Sequence, residues 1–156
     1  MKFITLLATV SILSAPLSAL NVESAQSFID YAKKVVKEIT PHELQSMIIK
    51  SEEEDFDFFL VDIREPDQVG HGEIFHLDQF KITRGYLEFM IENKIPDKDA
   101  IIVVYCCTGK RGILAAKTLK DMGYKNTISL KGGIRQWVED GLPLDTVYGE
   151  MVYKYK

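Results

Sequence analysis

Two rhythms of apolar residues alternate along the 156-residue chain, and their alternation predicts a layout. Residues 58–62 and 101–105 (Ile101-Ile102-Val103-Val104-Tyr105) are apolar at nearly every position, as strands buried on both faces are. Residues 74–77 and 127–130 read as two further short strands. Between these runs the spacing changes to three and four. Phe28, Ile29, Ala32, Val35, Val36 and Ile39 form one helical face over residues 26–39, with lysines opposite. Thr40-Pro41-His42-Glu43 carries an N-cap, a proline at the first helical position and a capping-box glutamate, so a helix starts there with Leu44, Met47 and Ile48 inward. Acidic residues 51–57 read as a solvated loop. Helices follow over 86–93, over 113–122 with Gly123 closing it, and over 133–139, ended by Gly141 and Pro143.

Short apolar strands alternating with helices predict an α/β domain whose central, mostly parallel sheet is covered by helices on both faces. In such sheets ligands sit at the carboxyl ends of the strands. Cys106 stands at one such end and Arg64 just past another.

The segment Cys106-Cys107-Thr108-Gly109-Lys110-Arg111 is the most chemically pointed part of the chain. A strand delivers the cysteine into a tight turn before a helix starting near Gly112. Unpaired N–H groups of that first turn, with the charges of Lys110 and Arg111, favour an ionised sulfur, so Cys106 is the candidate nucleophile.

Composition narrows the context. At 46% hydrophobic residues the chain can bury a core as one domain, and its net charge of −4 argues against nucleic acid as a main partner. Lys2, an apolar run over residues 3–13, and small residues up to Ala19 read as a cleavable secretory signal over residues 1–19. Residues 20–38 then form an amphipathic extension, 39–145 the domain and 146–156 a tail, which is either an added strand or loose. Export normally accompanies paired cysteines, yet the two present are sequence neighbours and cannot staple distant segments. The spacing of His71, Glu73 and His76 matches no zinc motif, and Gly132-Gly133 reads as backbone room at a strand-to-helix turn.

Val61-Asp62-Ile63-Arg64-Glu65, the loop at Cys106, and Leu130-Lys131-Gly132-Gly133 followed by Trp137, Gly141 and Pro143 resemble the rhodanese superfamily over residues 39–145. Ile82-Thr83-Arg84-Gly85-Tyr86-Leu87-Glu88 and Ala115-Ala116-Lys117-Thr118-Leu119 narrow the resemblance to its exported polysulfide-sulfur transferases. The resemblance implies a sulfurtransferase that carries sulfane sulfur from polysulfide or thiosulfate as a Cys106 persulfide. Cyanide or a membrane-bound respiratory reductase would accept it, with no metal or organic cofactor, in a periplasmic homodimer. The short Cys-x4-Arg ring suits a single sulfur, its N–H groups from residues 107–111 forming an anion nest to which Thr108 adds a hydroxyl. Arg64 and Arg84 match arginines that bind the anionic donor, and permanent guanidinium charge suits that task, with Asp62 or Glu65 orienting Arg64. The plainer alternative for both arginines is a surface pair with a carboxylate.

Cys107 departs from the family, where a basic residue is usual; it reads as a resolving thiol, half of a vicinal disulfide, or a small apolar filler. Two other functions stay open: a thiol-disulfide redox protein using both cysteines, and a sulfur-carrier module that passes sulfur only within a partner complex.

Overall fold

The computed structural model describes residues 24–153, so the expected signal over residues 1–19 lies outside the described residues. Five strands form one parallel sheet: β1 (Lys37–Ile39), β2 (Phe59–Asp62), β3 (Gln79–Lys81), β4 (Ile101–Tyr105) and β5 (Asn126–Leu130), in the order β1-β5-β4-β2-β3. Six α-helices accompany them among the described residues: α1 (Ala25–Val35), α2 (Pro41–Glu53), α3 (Pro66–Val69), α4 (Leu87–Lys94), α5 (Lys110–Asp121) and α6 (Gly133–Glu139). This is the expected α/β architecture.

Alternation along the central strands builds the two layers. Val61, Ile102 and Val104 pack with Ile29 and Ala32 of α1, Leu87 and Ile91 of α4, and Ile113, Ala115 and Ala116 of α5. Leu60, Val103 and Tyr105 point the other way, to Leu44 of α2 and Ile134 and Trp137 of α6. Strands covered on both faces need apolar residues at every position, which is why their sequence shows no polar alternation.

Several elements differ from the sequence expectation. The first helix stops at Val35 rather than Ile39, because Val36 is already extended and residues 37–39 pair with Ile128, Ser129 and Leu130 of β5. Main-chain pairing to the sheet outweighs helical spacing there, and the sheet begins within the stretch expected as an extension. Residues 74–77 are not a strand. Glu73 instead exchanges two backbone hydrogen bonds, each 2.9 Å, with Asp145, Ile74 is buried under α2 and α6, and the edge strand comes later at Gln79–Lys81. Helix α2 extends through residues 51–53, shortening the acidic loop, and its capping box forms as expected: the Glu43 N–H donates to Thr40 Oγ1 at 3.3 Å and the Thr40 N–H to Glu43 Oε2 at 2.7 Å. The Thr40 N–H, joined by the Thr40 hydroxyl at 2.9 Å, donates to the Glu43 carboxylate and holds that carboxyl below its usual pKa. Near the C-terminus, β6 (Leu144–Thr146) and β7 (Gly149–Met151) form an antiparallel hairpin that runs from the last residues of the expected domain into the stretch expected as an added strand or a loose tail.

Candidate active site

Strands β2 and β4 lie side by side and end level, with Asp62 opposite Tyr105. Their carboxyl ends therefore present Arg64 and Cys106 as neighbours. Cys106 closes β4 and only 1% of it is exposed. The chain then turns through half-buried Cys107, exposed Thr108 and buried Gly109 into α5, which starts at Lys110, two residues earlier than expected.

The Gly112 N–H donates to Cys106 Sγ at 3.3 Å. Gly112 reaches the sulfur because it has no side chain: a Cβ there would sit 3.1 Å from Ser129 Oγ on β5. Ser129, fully buried with a hydroxyl that has no partner among the described residues, had no signal in the sequence that set it apart from strand packing. Among the described residues the backbone N–H groups of residues 107–111 donate to no protein acceptor. An unfilled row of donors at a helix start beside a sulfur is a site for an anion.

The loop is held from behind by the start of α6. The Ile134 N–H donates to the Cys106 carbonyl at 2.9 Å and the Arg135 N–H to the Cys107 carbonyl at 3.0 Å. Gly133 makes this approach, with φ at +63°; a Cβ on it would fall 2.3 Å from the Cys106 oxygen. The glycine pair is thus backbone room, as its sequence context suggested.

Arg64 is not where a donor-binding arginine would be. It is 4% exposed, and its Nε and Nη2 donate to the Asp62 carboxylate at 2.7–3.0 Å. Nη1 donates to the Gln68 carbonyl at 3.0 Å, Nη2 also to the Gly72 carbonyl at 2.9 Å, and the guanidinium lies 5.5 Å from the Tyr105 ring centroid. Burial alone would favour loss of its proton, but the hydrogen bond and charge of Asp62 prevail and hold the pKa above the usual guanidinium range. The expected donor-binding role is therefore corrected: Arg64 ties residues 68–72 to the end of β2, and its donors are engaged by the protein. Of the two carboxylates expected to orient it, Asp62 does so. Glu65 pairs instead with Arg111, Oε1 to Nη1 at 3.3 Å.

Arg84 also lies apart from the sulfur. Its Nη1 donates to both oxygens of Glu88 at 2.8 and 3.0 Å and its Nη2 to Thr118 Oγ1 at 3.1 Å. Thr118 is six residues past Gly112 on α5, roughly 9 Å along the helix axis. Arg84 belongs to a groove of about 640 Å³ whose lining includes Phe28, Tyr31 and Leu114 but neither cysteine.

At the rim of the loop Lys110 is exposed, while the Arg111 Nη2 donates to Gln68 Oε1 at 2.8 Å and lies 4.0 Å from Cys107 Sγ. Both cysteines are free thiols. His76 is a core residue, its Nε2 2.8 Å from the Phe58 carbonyl and its ring stacked on Phe58 at 4.0 Å.

The rhodanese-like domain family model matches residues 40–140. The chain belongs to the rhodanese-like family. A sulfurtransferase of Allochromatium vinosum is 33% identical over 110 residues, covering 70% of this chain and 95% of that protein. A thiosulfate sulfurtransferase of Haemophilus influenzae is 32% identical over 115 residues, covering 72% and 97%. Among solved structures, the polysulfide-sulfur transferase homodimer of Wolinella succinogenes superposes with a TM-score of 0.63 at 29% identity, over 76% of this chain and 85% of that one. In this rhodanese-like chain the family's matched span contains every residue of the loop at Cys106.

Proposed function

We propose that this chain is a sulfurtransferase in which Cys106 carries the transferred sulfur. The observation that carries the reading is the sulfur at the end of β4, met by the Gly112 N–H and followed by five amides without an acceptor among the described residues. The Cys106 thiolate attacks the outer sulfur of polysulfide or thiosulfate; a new S–S bond forms, the donor's own S–S bond breaks, and its electron pair leaves with the shortened polysulfide or with sulfite. The loop amides then hold the terminal sulfur of the persulfide, whose negative charge replaces that of the thiolate. A nucleophilic acceptor such as cyanide, or a thiol of a respiratory reductase, removes that sulfur and regenerates the thiolate.

Names of the relatives support transfer in general, and the Wolinella structure supports polysulfide as donor and a homodimer as the assembly. Export to the periplasm rests on the apolar run and small residues over 1–19. The redox-pair reading has less support, because Cys106 Sγ accepts from Gly112 whereas Cys107 Sγ faces Arg111. Intact-protein mass analysis after polysulfide treatment tests the proposal: a gain of about 32 Da per sulfur, removed by cyanide and absent in Cys106→Ser, is the expected result. Loss of two hydrogens without added sulfur would replace it with disulfide chemistry.

A further inference from the structure

Arg111 supplies a full positive charge beside the thiol loop, yet its guanidinium is held by α3 and the residue that precedes it. Gln68 Oε1 accepts from Nη2 at 2.8 Å and Glu65 Oε1 lies 3.3 Å from Nη1. The segment carrying these two side chains is gripped in turn by Arg64, through the Gln68 and Gly72 carbonyls. A buried ion pair thus sets the position of an outer one. Glu65 itself is 47% exposed and Arg111 36%, so the carboxylate's field reaches an incoming ligand. Among the described residues no carboxylate pairs with Lys110, and the rim of Lys110, Arg111 and Glu65 carries one net positive charge instead of two.

We propose that Glu65 sets the donor preference of the site, disfavouring donors that concentrate two negative charges next to the sulfane sulfur relative to donors with one. Thiosulfate is the first kind; a polysulfide chain with its charges at opposite ends, an organic persulfide or a thiosulfonate is the second. This inference rests on the sulfurtransferase reading. Coulomb energy scales with ligand charge, so the Glu65 carboxylate repels a dianion twice as strongly as a monoanion at the same place.

Thiosulfate and methanethiosulfonate separate charge from chemistry. In both, the Cys106 thiolate attacks the outer sulfur and the S–S bond breaks; sulfite leaves in one case and methanesulfinate in the other, and cyanide then departs as thiocyanate. With a water-like dielectric at about 6 Å, removing the carboxylate charge raises kcat/KM about tenfold for thiosulfate and about threefold for methanethiosulfonate. In Glu65→Gln the gain is expected in KM rather than kcat, and high salt should erase it. Glu65→Ser removes the same charge with a smaller side chain and gives the same change in the donor ratio. Gln68→Ala loosens Arg111 without changing charge and leaves that ratio at the wild-type value. Equal gains for both donors in Glu65→Gln, no gain, or a ratio shift in Gln68→Ala overturns the proposal. A wild-type protein that loads no sulfur on Cys106 from either donor overturns the sulfurtransferase reading itself, whereas loading with an unmoved ratio overturns only the role of Glu65.

Discussion

The ends of β2 and β4 are neighbours in the sheet, point the same way and each deliver a reactive or charged residue, yet they are built to opposite purposes. Beyond β2, Arg64 turns back onto Asp62, and Nη1 and Nη2 also donate to the carbonyls of Gln68 and Gly72. That turn is closed on itself. Beyond β4, the amides of residues 107–111 have no acceptor among the described residues, with Thr108 and Lys110 exposed beside them. The first N–H groups of a helix have no partner within it, so an open row of them beside a sulfur is where an anion supplies the missing acceptors. The carboxyl end of a parallel sheet names the candidates, and hydrogen-bond saturation decides which of them face a ligand.

The largest effect that follows is on chemistry at the open end. Cys106→Ser should lower sulfur transfer to cyanide by roughly 10³-fold or more, while leaving the unfolding transition near the wild-type position. Substantial transfer by this variant would move the reacting group elsewhere and dissolve the contrast. At the closed end the loss should instead be stability. Asp62 is 2% exposed, and Asp62→Asn leaves the Arg64 charge buried without its counterion, at a cost of about 3–5 kcal/mol in urea unfolding. Transfer per folded molecule should change little by comparison with the cysteine variant. Loss of transfer with stability intact would mean that Arg64 meets the donor after all. Gly133→Ala tests the support behind the open end: its Cβ would press on the Cys106 carbonyl at positive φ, so about 1–3 kcal/mol of strain should appear together with a drop in transfer.

Local signals explain what could be read in advance. The strand at residues 101–105 and the capping box at Thr40 and Glu43 were legible because each is decided by its own residues: unbroken apolar character, and two reciprocal hydrogen bonds within four positions. β3 was not legible, since Gln79-Phe80-Lys81 sits on an edge and needs little apolar character. β1 was hidden for a different reason, its Ile39 and the preceding Val36 fitting a helical face until β5 claims the backbone. In the site, Cys106 was legible from the turn that follows it. The partners of Arg64 were not, because carbonyls four and eight residues ahead become acceptors only once residues 65–72 have folded around the guanidinium. Arg111 and Glu65 are 46 positions apart, a pairing that no spacing announces.

Cys107 gives the finest test of the contrast, because it belongs to the open loop but does not face into it. Its half-buried sulfur lies 4.0 Å from the Arg111 Nη2, on the side of Gln68 and Glu65, whereas the Cys106 sulfur is enclosed under the Gly112 amide. Serine keeps the size and polarity of a small side chain there and leaves the carbonyl that accepts from Arg135 in place. Cys107→Ser should therefore load sulfur on Cys106 normally and transfer it to cyanide within about twofold of wild type, the change expected when a weak contact to a partly exposed guanidinium is altered. Steady-state rates with thiosulfate and cyanide, read beside persulfide mass, check this. Normal loading with slow release would make the second sulfur an outgoing relay, and the open end would then hold two working thiols instead of one.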